Sequence, residues 1–199
     1  KEDKKKGIGF LLLTALLLRL LMISVDPHIQ PWDERFHGIV AKNMMAHPFK
    51  PMLNAHPVLP YDATDWSNNH IWVHKQPVFL WQMALSMKIF GVNTFALRLP
   101  SAILGVLMVL MIYDIGRKWL KNDQVAYCAA FLSTFSYFTL ELTSGHQSLE
   151  HNDLVFTAYV TATCWAFVNY VHTQFKWKWA IWVGVFAGLA ILNKWLVGL

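Results

Sequence analysis

Two short runs of this sequence carry side chains suited to acid–base and phosphate chemistry. Asp33-Glu34 follows Pro31-Trp32 directly and opens a stretch with helical spacing. A carboxylate so placed can act as a general base toward a hydroxyl, or partner a cationic donor group. Asp33 can equally N-cap the helix, with Glu34 favoured in the first turn by the helix dipole. His74-Lys75-Gln76-Pro77 precedes a second apolar stretch. The dipole disfavours a cation at a helix start, so Lys75 there, beside exposed backbone N–H groups, suits a bound phosphate. The plain alternative is a lysine snorkelling at a headgroup boundary. Asp153 stands at the mouth of a later apolar block, either as a helix cap or as a carboxylate that needs partners. Lys194 closes the last block, where interfacial anchoring is the simple reading.

Histidines add a further possibility. Eight of the nine (28, 37, 47, 56, 70, 74, 146 and 151) fall within 26–95 and 144–153, together with Asp26, Asp62, Asp65 and Glu150. Loops this rich in titratable groups are usually functional. His70 and His74 share a face if that stretch is helical, and His146 and His151 could pair with Glu150, so these four are the weak candidates for a divalent metal. No other cofactor is implied.

The elements that must hold these groups are membrane helices. The chain is 55% hydrophobic and only 15% charged, with ten Trp in 199 residues. Soluble domains are about a quarter charged. The apolar residues come in long separate blocks: Ile8–Val25, Ala96–Ile115, Val125–Thr143, Leu154–Val171 and Ala180–Leu192. Each can cross a hydrocarbon core of roughly 30 Å as a helix. Arg19 in the first block either snorkels or faces the bundle, and a partner is expected for it. Cys128 and Cys164 sit inside apolar blocks and read as small buried hydrophobes.

Basic residues lie at Lys4–Lys6, Arg117–Lys121 and Lys176–Lys178, beside the blocks and not along one face, which argues against nucleic acid as a partner. The positive-inside rule puts these segments in the cytoplasm and residues 26–95 outside. Val78–Phe90 is then an interfacial helix and not a sixth span, and Arg35–Met45 is a second surface helix with Phe36, Ile39, Val40 and Met44 on its apolar face. His47–Asn69 reads as irregular loop. The fold class expected is all-α integral membrane, about five spans with interfacial helices in a long first outer loop. Residues 1–199 would form the N-terminal part of a single polytopic transmembrane domain, with 26–95 as its first extracytoplasmic loop. The start at Lys1 and the stop inside an apolar run suggest a piece of a longer protein, and the first block, lacking a cleavage site, should stay as an anchor.

Four runs in order, Trp32-Asp33-Glu34-Arg35-Phe36, His74-Lys75-Gln76-Pro77, Phe90-Gly91-Val92-Asn93-Thr94-Phe95-Ala96-Leu97-Arg98-Leu99-Pro100-Ser101 and Leu192-Asn193-Lys194, together resemble the polyprenyl-phosphate-sugar glycosyltransferases of the GT-C fold. The chain is similar above all to the bacterial aminoarabinose transferases acting on lipid A and to protein O-mannosyltransferases. The resemblance implies Asp33 as catalytic carboxylate with Glu34 beside it, Asp153 as a second acid, and Lys75 on the lipid phosphate, helped by Arg35 or Arg98. It also implies a polyprenyl-phosphate-linked sugar as donor, a lipid or protein acceptor, and a site facing outward from the bacterial inner membrane. Gln76, Asn193 and Trp195 depart from the family pattern and bear on substrate more than on fold. The competing readings are a polytopic transporter or flippase using Arg19 and the outer acids, and a non-catalytic subunit of a membrane complex.

Overall fold

The first apolar block becomes α1 (Glu2–Val25), and its two faces explain its surroundings. Phe10, Leu13, Leu17 and Leu21 point outward, whereas Leu11, Ala15, Arg19 and Ile23 are buried. Leucines outside and an arginine inside make sense only where the medium is apolar, which is the signature of a membrane span. The computed structural model describes residues 2–62, 64–65, 69–145 and 151–195.

The chain continues through α2 (Asp33–Met44), α3 (Val78–Phe90), α4 (Thr94–Trp119), α5 (Asp123–Phe135), α6 (Tyr137–Ser144), α7 (His151–His172) and α8 (Trp177–Lys194). Among the described residues no strand forms; a lone antiparallel bridge joins Met52 to Ile71. Helices α1, α4 and α7 are long and apolar enough to cross a membrane, and α5 with α6 together are apolar enough to form either a fourth, broken span or a re-entrant loop. The fifth expected block is a helix, α8, packed along α7. With Trp177 and Lys178 at its start and Lys194 at its end, α8 falls outside the set of helices long and apolar enough to cross a membrane. Helix α3 has 13 residues, about 20 Å of rise, too short to cross alone, and it packs against α2 and α4.

Turn chemistry sets the boundaries. Gly91, at φ 86, ends α3 in a conformation that side chains resist. Asn93 then caps α4 by accepting the Ala96 N–H at 2.8 Å. Asn122 caps α5 in the same way through Gln124 and Val125. Close approach of α4 and α5 depends on Gly116, where a Cβ would lie 2.7 Å from the Ala126 backbone.

Three sequence expectations need correction. The block Val125–Thr143 is not one straight helix: it breaks at Ser136 and bends by 44°. Breaking a span releases carbonyls that lipid cannot satisfy. Here Arg19 answers them, donating to the Ser133 and Thr134 carbonyls at 3.3 and 3.5 Å and to Ala15 of its own helix at 3.3 Å. The buried face of α2 is also rotated from the one expected. Glu34, His37, Val40, Ala41 and Met44 are buried, while Ile39 is exposed, because the face is chosen by a polar contact at Glu34 and by aromatic packing at His37. Finally, Cys128 and Cys164 are exposed and not buried, on the outer faces of helices where lipid would lie.

The bundle has two chemically distinct ends. At one, the N-terminal half of α1 meets the start of α5, with Gly7 against Tyr127. There Asp114 binds both Lys118 and the Trp165 indole, and Lys118 also reaches Asn169 at 2.6 Å, tying α4 to α7. At the other end lie the end of α1, the starts of α2, α4 and α7, and the ends of α6 and α8.

Candidate functional site

Helix α2 begins at Asp33 with Trp32 in the N-cap position and no side-chain cap hydrogen bond. Asp33 is therefore a first-turn residue and not the cap. The helix dipole still favours negative charge at this point. Asp33 is half-buried.

Glu34 turns inward and meets Arg98 from the second turn of α4. Arg98 Nε donates to Glu34 Oε1 at 2.6 Å and Nη2 donates to Oε2 at 2.9 Å. The two side chains are 0% and 3% exposed. Paired and forked geometry is what makes so buried a charge pair tolerable. The remaining donors of Arg98 go to the Asp26 and His28 carbonyls at 2.6 and 2.8 Å. Glu34 Oε2 also accepts the Gln30 N–H at 2.8 Å. Arg98 thus fastens the exit of α1 to the entry of α4, and its nitrogens face protein oxygens.

Gly145 completes this corner. It ends α6 at φ 68, donating its N–H to the Glu141 carbonyl, and a Cβ on it would sit 2.9 Å from Glu34 Oε1. Both the left-handed backbone and the close approach require glycine. Asp26 accepts the His28 N–H at 2.9 Å. That backbone hydrogen bond holds its carboxyl below the ordinary value of 3.8.

Lys75 lies three residues before α3 and is half-buried. Its segment is brought to α2 by aromatic packing. Trp72 is 2% exposed and stacks on Phe36 with centroids 6.0 Å apart. His37 packs edge-on against Trp72 at 6.0 Å and Phe79 at 4.8 Å, and His74 against Trp72 at 5.5 Å. The His74-Lys75 run therefore sits against the N-terminal half of α2, the half that Asp33 begins. Arg35 is exposed and lies over the Phe36 ring at 5.7 Å.

Asp153, in the first turn of α7, forms an ion pair with Lys194 in the last turn of α8. Beside them Asn193 donates to the Asn152 carbonyl and side-chain oxygen at 3.1 and 2.7 Å. The neighbouring Val155 packs into the same core as Val40, Phe79 and Leu97. Asp33, Glu34, Lys75, Arg98 and Asp153 are thus carried to one end of the bundle by four different elements: α2, the segment before α3, α4 and α7.

Of the metal candidates, the pair His70 and His74 does not assemble. Residues 69–77 are not helical, so His70 and His74 lose the shared face that spacing suggested; His70 Nε2 is 3.1 Å from the Leu59 carbonyl. His146 and the side chain of His151 lie outside the described residues. Among the described residues, no group of three or more His, Cys, Asp or Glu could hold a metal ion. Sequence reasoning missed Gly145 and the pairings Glu34–Arg98 and Asp153–Lys194. Separations of 64 and 41 residues give no local signal for the pairings.

The sequence profile of the dolichyl-phosphate-mannose-protein mannosyltransferase family matches residues 74–199. The chain is 28% identical over 192 residues to an undecaprenyl phosphate-alpha-4-amino-4-deoxy-L-arabinose arabinosyl transferase of Pseudomonas savastanoi pv. phaseolicola, covering 94% of this chain and 32% of that protein. It is 26% identical over 190 residues to an uncharacterized protein of Aquifex aeolicus, covering 95% and 34%. The crystal structure of ArnT from Cupriavidus metallidurans in the apo state superposes with a TM-score of 0.64 at 17% identity, over 98% of this chain and 34% of that one. The fold is accordingly the all-helical, GT-C-like membrane fold. The chain spans about a third of the length of these relatives.

Proposed function

We propose, because this chain belongs to the dolichyl-phosphate-mannose-protein mannosyltransferase family, that it contributes the acidic half of a glycosyltransferase site. The donor is a sugar on a polyprenyl phosphate, the acceptor a hydroxyl or phosphate group on a lipid or protein, and the reaction runs on the extracytoplasmic face of a bacterial inner membrane. The observation that carries this reading is the gathering of Asp33, Lys75 and Asp153 at the end of the bundle away from the basic segment around Lys118.

In this reading the acceptor oxygen attacks the anomeric carbon as the carbon–oxygen bond to the donor phosphate breaks. Asp33 takes the acceptor proton, and Lys75 meets the charge that grows on the departing lipid phosphate. The uncapped start of α3 aims its dipole at the same phosphate. Arg35, exposed beside Asp33, is placed to assist, and Asp153 acts as the second acid with its carboxylate oriented by Lys194. Glu34 and Arg98 serve as the frame, since each occupies the other. Arg19, on which a transport path would depend, is enclosed and turned to the carbonyls of the broken span.

The test is transfer by the full-length protein from a radiolabelled polyprenyl-phosphate sugar. Asp33→Asn is expected to lower turnover by about 10²–10⁴ with normal expression and unfolding temperature. Near-wild-type transfer by that variant removes Asp33 from the mechanism.

A further inference from the structure

The segment 42–50, where α2 runs out into the loop, has a cavity on each side. One, of about 470 Å³, is lined by Lys42, Asn43, His47, Lys50 and His56. The other, of about 380 Å³, is lined by Met44, Met45, Phe49, Trp81 and Leu85 among others. Both are held open by specific contacts. Asn43 Nδ2 donates to the Met52 carbonyl at 2.7 Å, and Trp72 N–H to the Pro51 carbonyl at 2.9 Å, which fix the far wall of the first. Trp81 Nε1 donates to the Pro48 carbonyl at 2.7 Å, and Phe49 packs edge-on against Trp81 at 6.1 Å, which fix the second.

The two cavities have opposite chemistry. No carboxylate lines the first, and the sequence from Phe36 to Tyr61 holds no Asp or Glu. Lys42 alone would be accounted for by the dipole at the end of α2. Lys50, His47 and His56 lie beyond that helix and are not. The second cavity is apolar apart from Lys88, and Phe49 in its lining is 90% exposed, a large hydrophobic surface that calls for cover. A ligand satisfying both has an anionic head and a hydrocarbon chain.

We infer that this segment binds the phosphate head of a membrane lipid, with Lys42 and Lys50 on the phosphate and an acyl chain along Phe49 and Trp81. The site is distinct from the proposed transfer centre: Lys42 is nine residues from Asp33, about 14 Å along α2. It requires neither Asp33 nor Lys75, so it stands or falls apart from the transferase reading.

Native mass spectrometry of the full-length protein in detergent tests this with three probes: dioctanoyl phosphatidic acid, dioctanoyl phosphatidylcholine and inorganic phosphate. The protein is expected to retain phosphatidic acid over phosphatidylcholine by about tenfold or more at low salt, and the exposed-lysine variant K42A/K50A to lose that preference. Phe49→Ala is expected to weaken phosphatidic acid and leave inorganic phosphate unchanged. Asp33→Asn should keep the preference, and its loss there would overturn the separation of the two sites. Equal retention of both lipids, an unchanged preference in K42A/K50A, or inorganic phosphate binding as tightly as phosphatidic acid would overturn the inference.

Discussion

Glu34 and Arg98 are neighbours in space to residues proposed for chemistry, yet each is consumed by the other. Two forked hydrogen bonds and two further carbonyls leave the guanidinium no face for a ligand. Removing one member of so buried a pair strands the other, at a cost of about 3–5 kcal/mol. Glu34→Gln and Arg98→Met should therefore each lower the unfolding temperature sharply, and the double variant by less than the sum of the two. Simple additivity in that thermodynamic cycle would mean the pair is not coupled. Gly145→Ala should cost about 1–3 kcal/mol from its backbone alone and displace Glu34 besides. Lys75→Ala belongs to a different class. It should weaken binding of the lipid-phosphate donor more than binding of the acceptor, and equal loss of both would remove Lys75 from the phosphate. The sequence singled out Glu34 and Arg98, but as acid and phosphate ligand. Composition marks which residues matter; only a fold brings residues 64 apart together and says what each one faces.

At the scale of elements, the broken span and Arg19 form one device. A helix that stops at Phe135 inside the bundle leaves carbonyls that need donors, and an arginine inside α1 needs acceptors. Gly105 makes the room, since a Cβ there would lie 2.5 Å from Arg19 Nε. Arg19→Met and Gly105→Val should accordingly destabilise the protein to similar extents, by roughly 1–3 kcal/mol for each carbonyl left without a donor. Thermal unfolding of the purified variants measures this, and an unperturbed Gly105→Val would show that Arg19 has slack. The helices themselves were legible, because a span in lipid must be a continuous apolar run. Helix α3 falls on the expected Val78–Phe90. The break was not legible: Phe135-Ser136-Tyr137 contains neither Pro nor Gly, and the donor that meets the carbonyls beside it, Arg19, lies on another helix. The face of α2 was misread for a related reason, since its inward side carries Glu34 and His37 while Ile39 faces out.

Across the whole molecule, the short segments Arg117–Lys121 and Lys176–Lys178 between helices are basic, and the positive-inside rule applied to them gives the orientation proposed for it. Single cysteines introduced into a background lacking Cys128 and Cys164 test that directly. A cysteine at Val58, 96% exposed in the long loop, should react with an impermeant maleimide in right-side-out vesicles, and one at Leu120, 57% exposed, should react only after permeabilisation. The reverse pattern would invert the chain. Arg98 gives this long loop a further property. By holding the carbonyls of Asp26 and His28 it draws the two stems of the 26–95 excursion together, so the membrane helices register a closed collar whatever hangs from it. Such a collar lets evolution, or an engineer, exchange the hanging tip for a relative's version as a cassette while the scaffold beneath keeps its shape.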